Sequence, residues 1–371
     1  MNFAFCIYKY FPYGGLQRDF IKIASLVAAK GHQVTLYTRS WEGKIDLPND
    51  MRLVLLKTSG FSNQAKNRNF YVNFTKEIQQ NSVDRIVGFD KMPNLDYYYQ
   101  GDTCYYSDNL NRSFLYKLTP RYRLFKNFEK EVFKHGGKTK ILLLSDALKP
   151  IFQRYYHTEE SRFYLLPPGI SEDRRYINYS PLTRKKVRSL LGIKDSQHLL
   201  LQIGSDYKRK GVDRSIRALA SLPETIKNNT FLCIIGQDSP SSFITLSRNL
   251  GISNQVLFLG ARDDVGDFIA ASDIFLHPAR SENTGTVIVE ALAGALPEIV
   301  TDVCGYASYV IKANSGRVLS SPYQQSEFNE CLLKLLIEPS ELFRIKQNCM
   351  LYSDNHDLYS LHIKAAEILT K

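Results

Sequence analysis

The chain has 371 residues, 44% of them apolar and 23% charged. That is enough for two domains with ordinary cores, and it excludes a disordered or collagen-like chain. Lys and Arg number 48 against 37 Asp and Glu, a net charge of +11, which points to an anionic partner: nucleic acid, an acidic membrane or a phosphorylated substrate.

In chain order, Phe3-Ala-Phe-Cys-Ile7 predicts a buried strand, followed by the loop Tyr10-Phe-Pro-Tyr-Gly-Gly15. Phe20, Ile23, Ala24, Val27 and Ala28 recur at helical spacing up to Lys30-Gly31, a helix C-cap signal. Val34 to Thr38, Ile86 to Phe89 and Ile141 to Leu144 predict further strands, and this alternation argues for a parallel sheet wrapped by helices. Leu165-Leu-Pro-Pro-Gly169 interrupts the rhythm, because two prolines and a glycine continue neither helix nor sheet. The rhythm then restarts. Strands are predicted at Leu199–Gly204, Phe231–Gly236, Val256–Gly260, Ile274–His277 and Ile299–Thr301, with a helix from Asp213 to Leu222. Two α/β halves joined at Pro-Pro-Gly predict a ligand at the carboxyl ends of the strands, in a cleft between the halves.

Six cysteines (Cys6, Cys104, Cys233, Cys304, Cys331 and Cys349) make neither a C-x-x-C pair nor a zinc spacing, and read as free thiols of a reducing cytosol. The N-terminus lacks the features of a signal peptide, and no apolar run approaches the roughly 18 residues of a membrane span. A cytoplasmic protein is expected.

Three segments carry candidate chemistry. The first is Ser281-Glu-Asn-Thr-Gly-Thr-Val-Ile-Val-Glu-Ala-Leu-Ala-Gly-Ala-Leu-Pro297. Gly285, Thr286 and Val287 open a helix whose free amides suit an anion. Glu290 follows deeper in the helix, placed for the hydroxyls of a ribose, and Glu282 precedes it, placed for those of a sugar. An ordinary surface role for Glu290 is weakened by its apolar surroundings, Val287-Ile-Val-Glu-Ala-Leu292. The second is Gly204-Ser-Asp-Tyr-Lys-Arg-Lys-Gly211, between strand and helix. Arg209 and Lys210 suit a diphosphate and the charge growing on a departing nucleotide, against the alternative of a solvated basic loop. The order of a P-loop is absent. The third is Gly14-Gly15 with Gln17, Arg18 and Asp19, which does not form the G-x-G-x-x-G of dinucleotide folds; Asp19 also suits a helix-start carboxylate. No Ser/His/Asp arrangement or metal cluster stands out, and His277 reads as a space-filler beside the cleft.

From Arg112 to Lys140 nine basic residues face only Glu129 and Glu131. A helical wheel puts Arg123, Lys126, Lys130 and Lys134 on one face, and Tyr122, Phe125, Val132 and Phe133 on the other. With Arg112, Lys117 and Arg121 these cations predict an anionic membrane surface as partner, ahead of a solvated helix; nucleic acid is disfavoured because no reading motif accompanies them.

These residues together resemble the retaining GT-B glycosyltransferases of family four, within them the lipopolysaccharide-core glucosyltransferase type. The resemblance covers essentially the full length. It includes Phe5-Cys-Ile-Tyr-Lys-Tyr-Phe-Pro-Tyr-Gly-Gly-Leu-Gln-Arg-Asp-Phe20, Arg39-Ser-Trp-Glu-Gly43, Leu165-Leu-Pro-Pro-Gly-Ile170 and Lys210-Gly-Val-Asp-Arg-Ser215. It implies an α/β GT-B fold of two Rossmann-like domains facing across a cleft: 1–168 for the acceptor, 169–354 for the nucleotide sugar, and a C-terminal helix of about 355–371 returning to the first. It implies a UDP-sugar donor, with glucose leading and galactose or an N-acetylhexosamine as alternatives, and a heptose of the lipid A–core precursor as acceptor. The enzyme would sit peripherally on the inner face of the cytoplasmic membrane. By the same resemblance Glu290 holds the ribose and Glu282 the donor sugar. Arg209 and Lys210 hold the diphosphate in the loop from Gly204, and Arg174 and Arg262 lie near the nucleotide. Gly15 and Asp19 face sugar and acceptor. No metal or other cofactor is expected, and front-face return is favoured over a covalent intermediate on Asp19 or Asp102.

Two departures bear on local packing. Ala295 stands where the family places the glycine of its Gly-x-Pro turn, with Gly294 one step earlier. Glu298 stands where it expects an apolar strand residue; it is expected to pair with a cation or water, or to mark different packing beside the donor site. Thr284 also differs. The rival readings are another family member with a different acceptor, a charge-driven adaptor that gives Glu282 and Glu290 nothing to do, and a nicotinamide oxidoreductase that lacks its fingerprint glycines.

Overall fold

Apolar runs and helix-spaced residues resolve, in a computed structural model that describes residues 1–12, 14–44 and 47–371, into two units. One comprises Met1–Pro167 and Ser360–Lys371, the other Pro168–Tyr359. Tyr13, within the expected glycine loop, lies outside the described residues.

The first unit is built on seven strands: β1 (Asn2–Cys6), β2 (Gln33–Thr38), β3 (Met51–Leu55), β4 (Arg85–Gly88), β5 (Tyr97–Tyr99), β6 (Lys140–Leu143) and β7 (Phe163–Leu165). They pair in parallel in the order β3-β2-β1-β4-β5-β6-β7. Successive side chains of a strand point to opposite faces. Phe3 and Phe5 therefore enter one core with Phe20, Ile23, Ala24 and Val27 of the helix Gly15–Ala29. Ala4 and Cys6 enter another, with Phe70, Phe74, Phe128 and Phe133. Burial on both faces explains why β1 reads as a continuous apolar run rather than an alternation. The helix Leu361–Thr370 completes the first core: Leu361, Ala365, Ala366 and Leu369 are buried in it, and the Arg85 guanidinium donates to the Leu369 carbonyl.

The second unit carries β8 (His198–Ile203), β9 (Thr230–Ile235), β10 (Val256–Phe258), β11 (Ile274–His277), β12 (Glu298–Thr301) and β13 (Gly316–Leu319), again all parallel, in the order β10-β9-β8-β11-β12-β13. Counted within each unit, both sheets run 3-2-1-4-5-6, with β7 added in the first. That is the dinucleotide-fold order, in which ligands bind beyond the carboxyl ends at the point where strand order reverses. The reversal falls between β1 and β4 in one unit and between β8 and β11 in the other.

The two departures resolve physically. Glu298 opens β12 fully buried, without a cation: Oε1 accepts from Ser315 Oγ at 3.0 Å, and Oε2 has no donor among the described residues. Burial pushes its carboxyl well above the ordinary value, so it is carried as the neutral acid. It sits at the amino end of β12, away from the ligand-bearing end. Ala295 takes the left-handed turn itself at φ 56°. Gly294 serves packing instead, since a Cβ there would lie 2.3 Å from Ile269 Cγ2. All six cysteines are free and five are buried. Among the described residues no helix is long and apolar enough to cross a membrane.

Candidate functional site

In the second unit the loop after β8 and the loop after β11 are stapled together. Arg280 pairs with both oxygens of Asp213 (2.7 and 2.8 Å) and its amide donates to the Arg209 carbonyl at 2.7 Å, while Gln202 on β8 steadies the first of these loops, its Nε2 donating to the Lys210 carbonyl at 2.8 Å. Gly211 makes the approach possible: it sits at φ 72°, and a Cβ there would lie 2.0 Å from the Pro278 carbonyl oxygen. The staple brings three predicted residues to one point. Glu282 Oε2 accepts from Lys210 Nζ and lies 3.4 Å from Arg209 Nη1. Gly204 and Gly285 close around them, with Cβ positions 3.0 Å from Lys210 Cε and 3.3 Å from Glu282 Cγ. Gly285, at φ 80°, caps the helix Thr286–Ala293, so Thr286 and Val287 begin that helix beside Glu282.

His277 was not legible as a site residue. It ends β11 fully buried, with Nε2 3.5 Å from Glu282 Oε2. Burial lowers its pKa and outweighs the neighbouring carboxylate, so it is neutral. For Glu282, burial alone would raise the carboxyl; the His277 contact and the Lys210 ammonium outweigh it and hold the group well below the usual carboxylate range. The signal was present in sequence as a histidine at a strand's carboxyl end, five residues before Glu282.

Glu290 lies half-buried on the helix Thr286–Ala293, near Tyr179, whose phenol is raised first by burial and in part by the Glu290 charge. Tyr179 donates to the Arg174 carbonyl at 3.0 Å, and Arg174 packs so closely that a Cβ on Gly266 would lie 2.6 Å from its Nη1. Arg174 Nε is buried without a partner. Arg174 and Glu290 thus share a neighbourhood. Arg262 is held otherwise: Asp264 takes Nε and Nη2, each at 2.7 Å, and its guanidinium lies 4.8 Å from the Phe268 ring centre.

In the first unit, Gly15 opens its helix with clear space where a Cβ would stand. Asp19 does not present a free carboxylate. Tyr99 donates to one oxygen and His362 contacts the other, both at 2.7 Å, so Asp19 ties the helix Gly15–Ala29 to the helix Leu361–Thr370. Asp102 lies on the wall of a cavity of about 270 Å³ with Tyr8, Asp90 and Arg121.

The basic segment is less uniform than its wheel. The helix Pro120–Phe133 buries Tyr122, Phe128, Glu129, Val132 and Phe133, while Phe125 is only partly buried. Glu129 is no surface counter-charge. It takes Lys91 Nζ at 2.6 Å, the Tyr105 and Tyr106 amides at 2.7 and 2.9 Å, and the Tyr156 hydroxyl at 2.7 Å. Several predicted membrane cations have partners: Lys126 lies over the Tyr106 and Tyr122 rings, Arg112 over Tyr116 and Arg121 over Phe125. Lys134 pairs with Glu131, and Lys117 donates to the Leu110 carbonyl. Arg123 and Lys130 are exposed. The wheel missed an apolar tip: Phe114 and Leu115 are 74% and 76% exposed, with Leu118 beside them.

Comparison with known proteins gives four findings. Residues 183–349 match the family model "Glycosyl transferases group 1". The chain is 46% identical over 371 residues to the lipopolysaccharide glucosyltransferase WaaG of Escherichia coli (strain K12), covering 100% of this chain and 99% of that one. The crystal structure of WaaG superposes with a TM-score of 0.90 over 99% of both chains. Anabaena HepE, in complex with UDP and glucose, shares the fold at 17% identity, with a TM-score of 0.75 over 100% of this chain and 99% of that one.

Proposed function

The chain belongs to the group 1 glycosyltransferases, a GT-B enzyme family, and on that premise we propose that it moves glucose from UDP-glucose, with retention, to a heptose of the lipopolysaccharide inner core. The observation that carries this reading is Glu282 closed in by Lys210, Arg209 and His277 where strand order reverses. Lys210 and Arg209 neutralise Glu282. A diphosphate offers them a stronger acceptor, since phosphate oxygens take forked hydrogen bonds from Arg and a point charge from Lys. Glu282, released from Lys210, is then free to accept from the donor sugar's hydroxyls, with neutral His277 orienting it. Glu290 beside Arg174 suits the ribose, and the amides of Gly285, Thr286 and Val287 suit a phosphate oxygen.

Retention fits front-face return. The bond from the anomeric carbon to the diphosphate oxygen breaks and the acceptor oxygen bonds that carbon on the same side. The departing diphosphate oxygen takes the acceptor's proton. Lys210 and Arg209 stabilise the charge that grows there, the work a metal does in other transferases. Phe114, Leu115 and Leu118, close in sequence to Arg112, Lys117, Arg121 and Arg123, suit an acidic membrane surface, with apolar side chains entering it and each cation adding about 1 kcal/mol. On this reading the enzyme works peripherally on the inner face of the membrane, beside a lipid-linked acceptor.

The test is UDP release with heptosyl-lipid A acceptor and UDP-glucose, UDP-galactose or UDP-N-acetylhexosamine, in EDTA. Turnover with UDP-glucose alone is expected. No UDP binding at all would break the reading, and turnover that EDTA abolishes would sink the metal-free mechanism.

A further inference from the structure

The first unit has a rim of its own. In the first unit, at the β1/β4 reversal, lie two cavities that share Tyr8, Asp90, Arg121 and Phe125. The one of about 300 Å³ is also lined by Arg39, just past β2, and by Asn67 on the helix Asn63–Gln80. Two of its polar atoms are left over. Arg39 Nε is a buried donor without an acceptor, and Asn67, only 7% exposed, has a buried Oδ1 without a donor. Buried polar atoms in folded proteins are overwhelmingly paired, so a leftover donor and a leftover acceptor on one wall describe what is missing. The missing partner has an oxygen to receive from a guanidinium and a hydroxyl to give to an amide.

The rest of the wall agrees. Asp90 receives the Tyr8 amide at 2.5 Å, and no other hydrogen bond to it is found among the described residues. Burial pushes its carboxyl up to about 7, so near neutrality it both accepts from and donates to a hydroxyl. Asp102, on the other cavity, adds a second carboxylate. Phe125 is partly buried beneath the Arg121 guanidinium and offers a ring edge or face to the apolar side of a pyranose. Carboxyls, an amide and an aromatic suit a sugar; two guanidiniums suit an anion.

We infer that this rim is a subsite for a sugar bearing an oxyanion, with Arg39 and Arg121 taking the anion and Asn67 and Asp90 taking hydroxyls. The inference rests on the transferase reading above, in which the subsite would hold the acceptor. It also moves Arg121 from the membrane set to the substrate. The oxyanion is a phosphoryl group or the carboxylate of an acid sugar.

The experiment titrates the full chain with glucose 6-phosphate, glucuronate and glucose, and separately with UDP. At least one charged sugar is expected to bind about tenfold tighter than glucose, the worth of one charge-assisted hydrogen bond. Preference for glucose 6-phosphate assigns a phosphoryl group, and preference for glucuronate a carboxylate. Arg39→Gln, on a partly exposed side chain, removes the preference while the UDP Kd stays within about twofold, which shows that the variant is folded. In turnover Arg39→Gln raises the acceptor KM about tenfold and leaves the UDP-glucose KM in place. Equal binding of all three sugars overturns the inference, as does a preference that survives both Arg39→Gln and Arg121→Gln. A preference lost in Arg39→Gln, in a protein that transfers no sugar to any acceptor, leaves the subsite standing and sinks the transferase reading instead.

Discussion

The two units share a strand order and treat charge in opposite ways. In the second, the charges at the strand ends are closed on one another, Glu282 against Lys210 and Arg209 beside the neutral His277, while the buried acid Glu298 has a single hydroxyl partner. In the first, the buried acid Glu129 is fully satisfied by an ammonium, two amides and a phenol, while Arg39 Nε just past β2 and Asn67 Oδ1 on the neighbouring helix are unpaired. The topology positions a rim; the side chains decide whether its charges are paired with one another or left open. A self-neutralised rim must be opened by a ligand that competes for its cations, which selects for something as anionic as a diphosphate. An unsatisfied rim accepts a weaker ligand, because there is no pair to break.

The strongest way to break this contrast is to disturb the satisfied acid of the first unit. Lys91→Met leaves Glu129 buried without its ammonium and is expected to cost about 3–5 kcal/mol in urea unfolding. The double variant Lys91→Met/Glu129→Gln should recover much of that, and a cost under about 1 kcal/mol for Lys91→Met would mean the amides alone satisfy the acid. Next comes the closed rim. Glu282→Ala is expected to lower turnover by about 10²–10³-fold, the scale on which losing one positioned polar group slows an enzyme. Lys210→Met should weaken UDP binding, measured by titration; unchanged UDP affinity would remove Lys210 from the diphosphate.

The half-satisfied Glu298 sharpens the contrast through pH. Its carboxyl is raised in the fold, so the folded chain holds a proton that the unfolded chain releases above the ordinary carboxylate pKa. Stability from this group is therefore present at low pH and lost as pH rises toward the folded value, by roughly 1.4 kcal/mol per unit. Glu298→Gln removes that slope. Unfolding curves of variant and wild type should nearly coincide near pH 4.5, with the variant the more stable at pH 7; parallel curves would mean Glu298 titrates normally. The smallest effect is at Ala295. A left-handed alanine costs about 1–2 kcal/mol, and Ala295→Gly relieves it while adding chain entropy and losing a buried methyl. A net gain of at most about 1 kcal/mol is expected, and a lower melting temperature would mean the methyl outweighs the strain.

The core strands were legible because burial on both faces leaves an uninterrupted apolar run, as in Phe3 to Ile7 or Leu199 to Ile203. Strands lacking that mark were not. Tyr97–Tyr99 and Phe163–Leu165 have three residues each, Met51–Leu55 lies at a sheet edge with an exposed Arg52, and Gly316–Leu319 opens on glycine and arginine. The second unit's site was legible because it is made of two local segments, Gly204–Gly211 and Ser281–Pro297. The first unit's rim draws Arg39, Asn67, Asp90 and Arg121 from four distant places, and no local spacing announces such a set. Glu129 misled for a related reason: on a wheel it counts against nearby lysines, whereas its partner lies 38 positions upstream.

The helix Leu361–Thr370 has a consequence for how the molecule is made. It supplies Leu361, Ala365, Ala366 and Leu369 to a core otherwise drawn from the first 167 residues. A chain emerging from the ribosome at roughly 5–20 residues per second spends on the order of ten seconds or more on the second unit before that helix exists. For that interval the first unit carries an uncovered greasy strip on the helix Gly15–Ala29, and Asp19 waits for His362. The part synthesised first is the part finished last, and nascent chains stalled within the second unit should be the ones a chaperone holds.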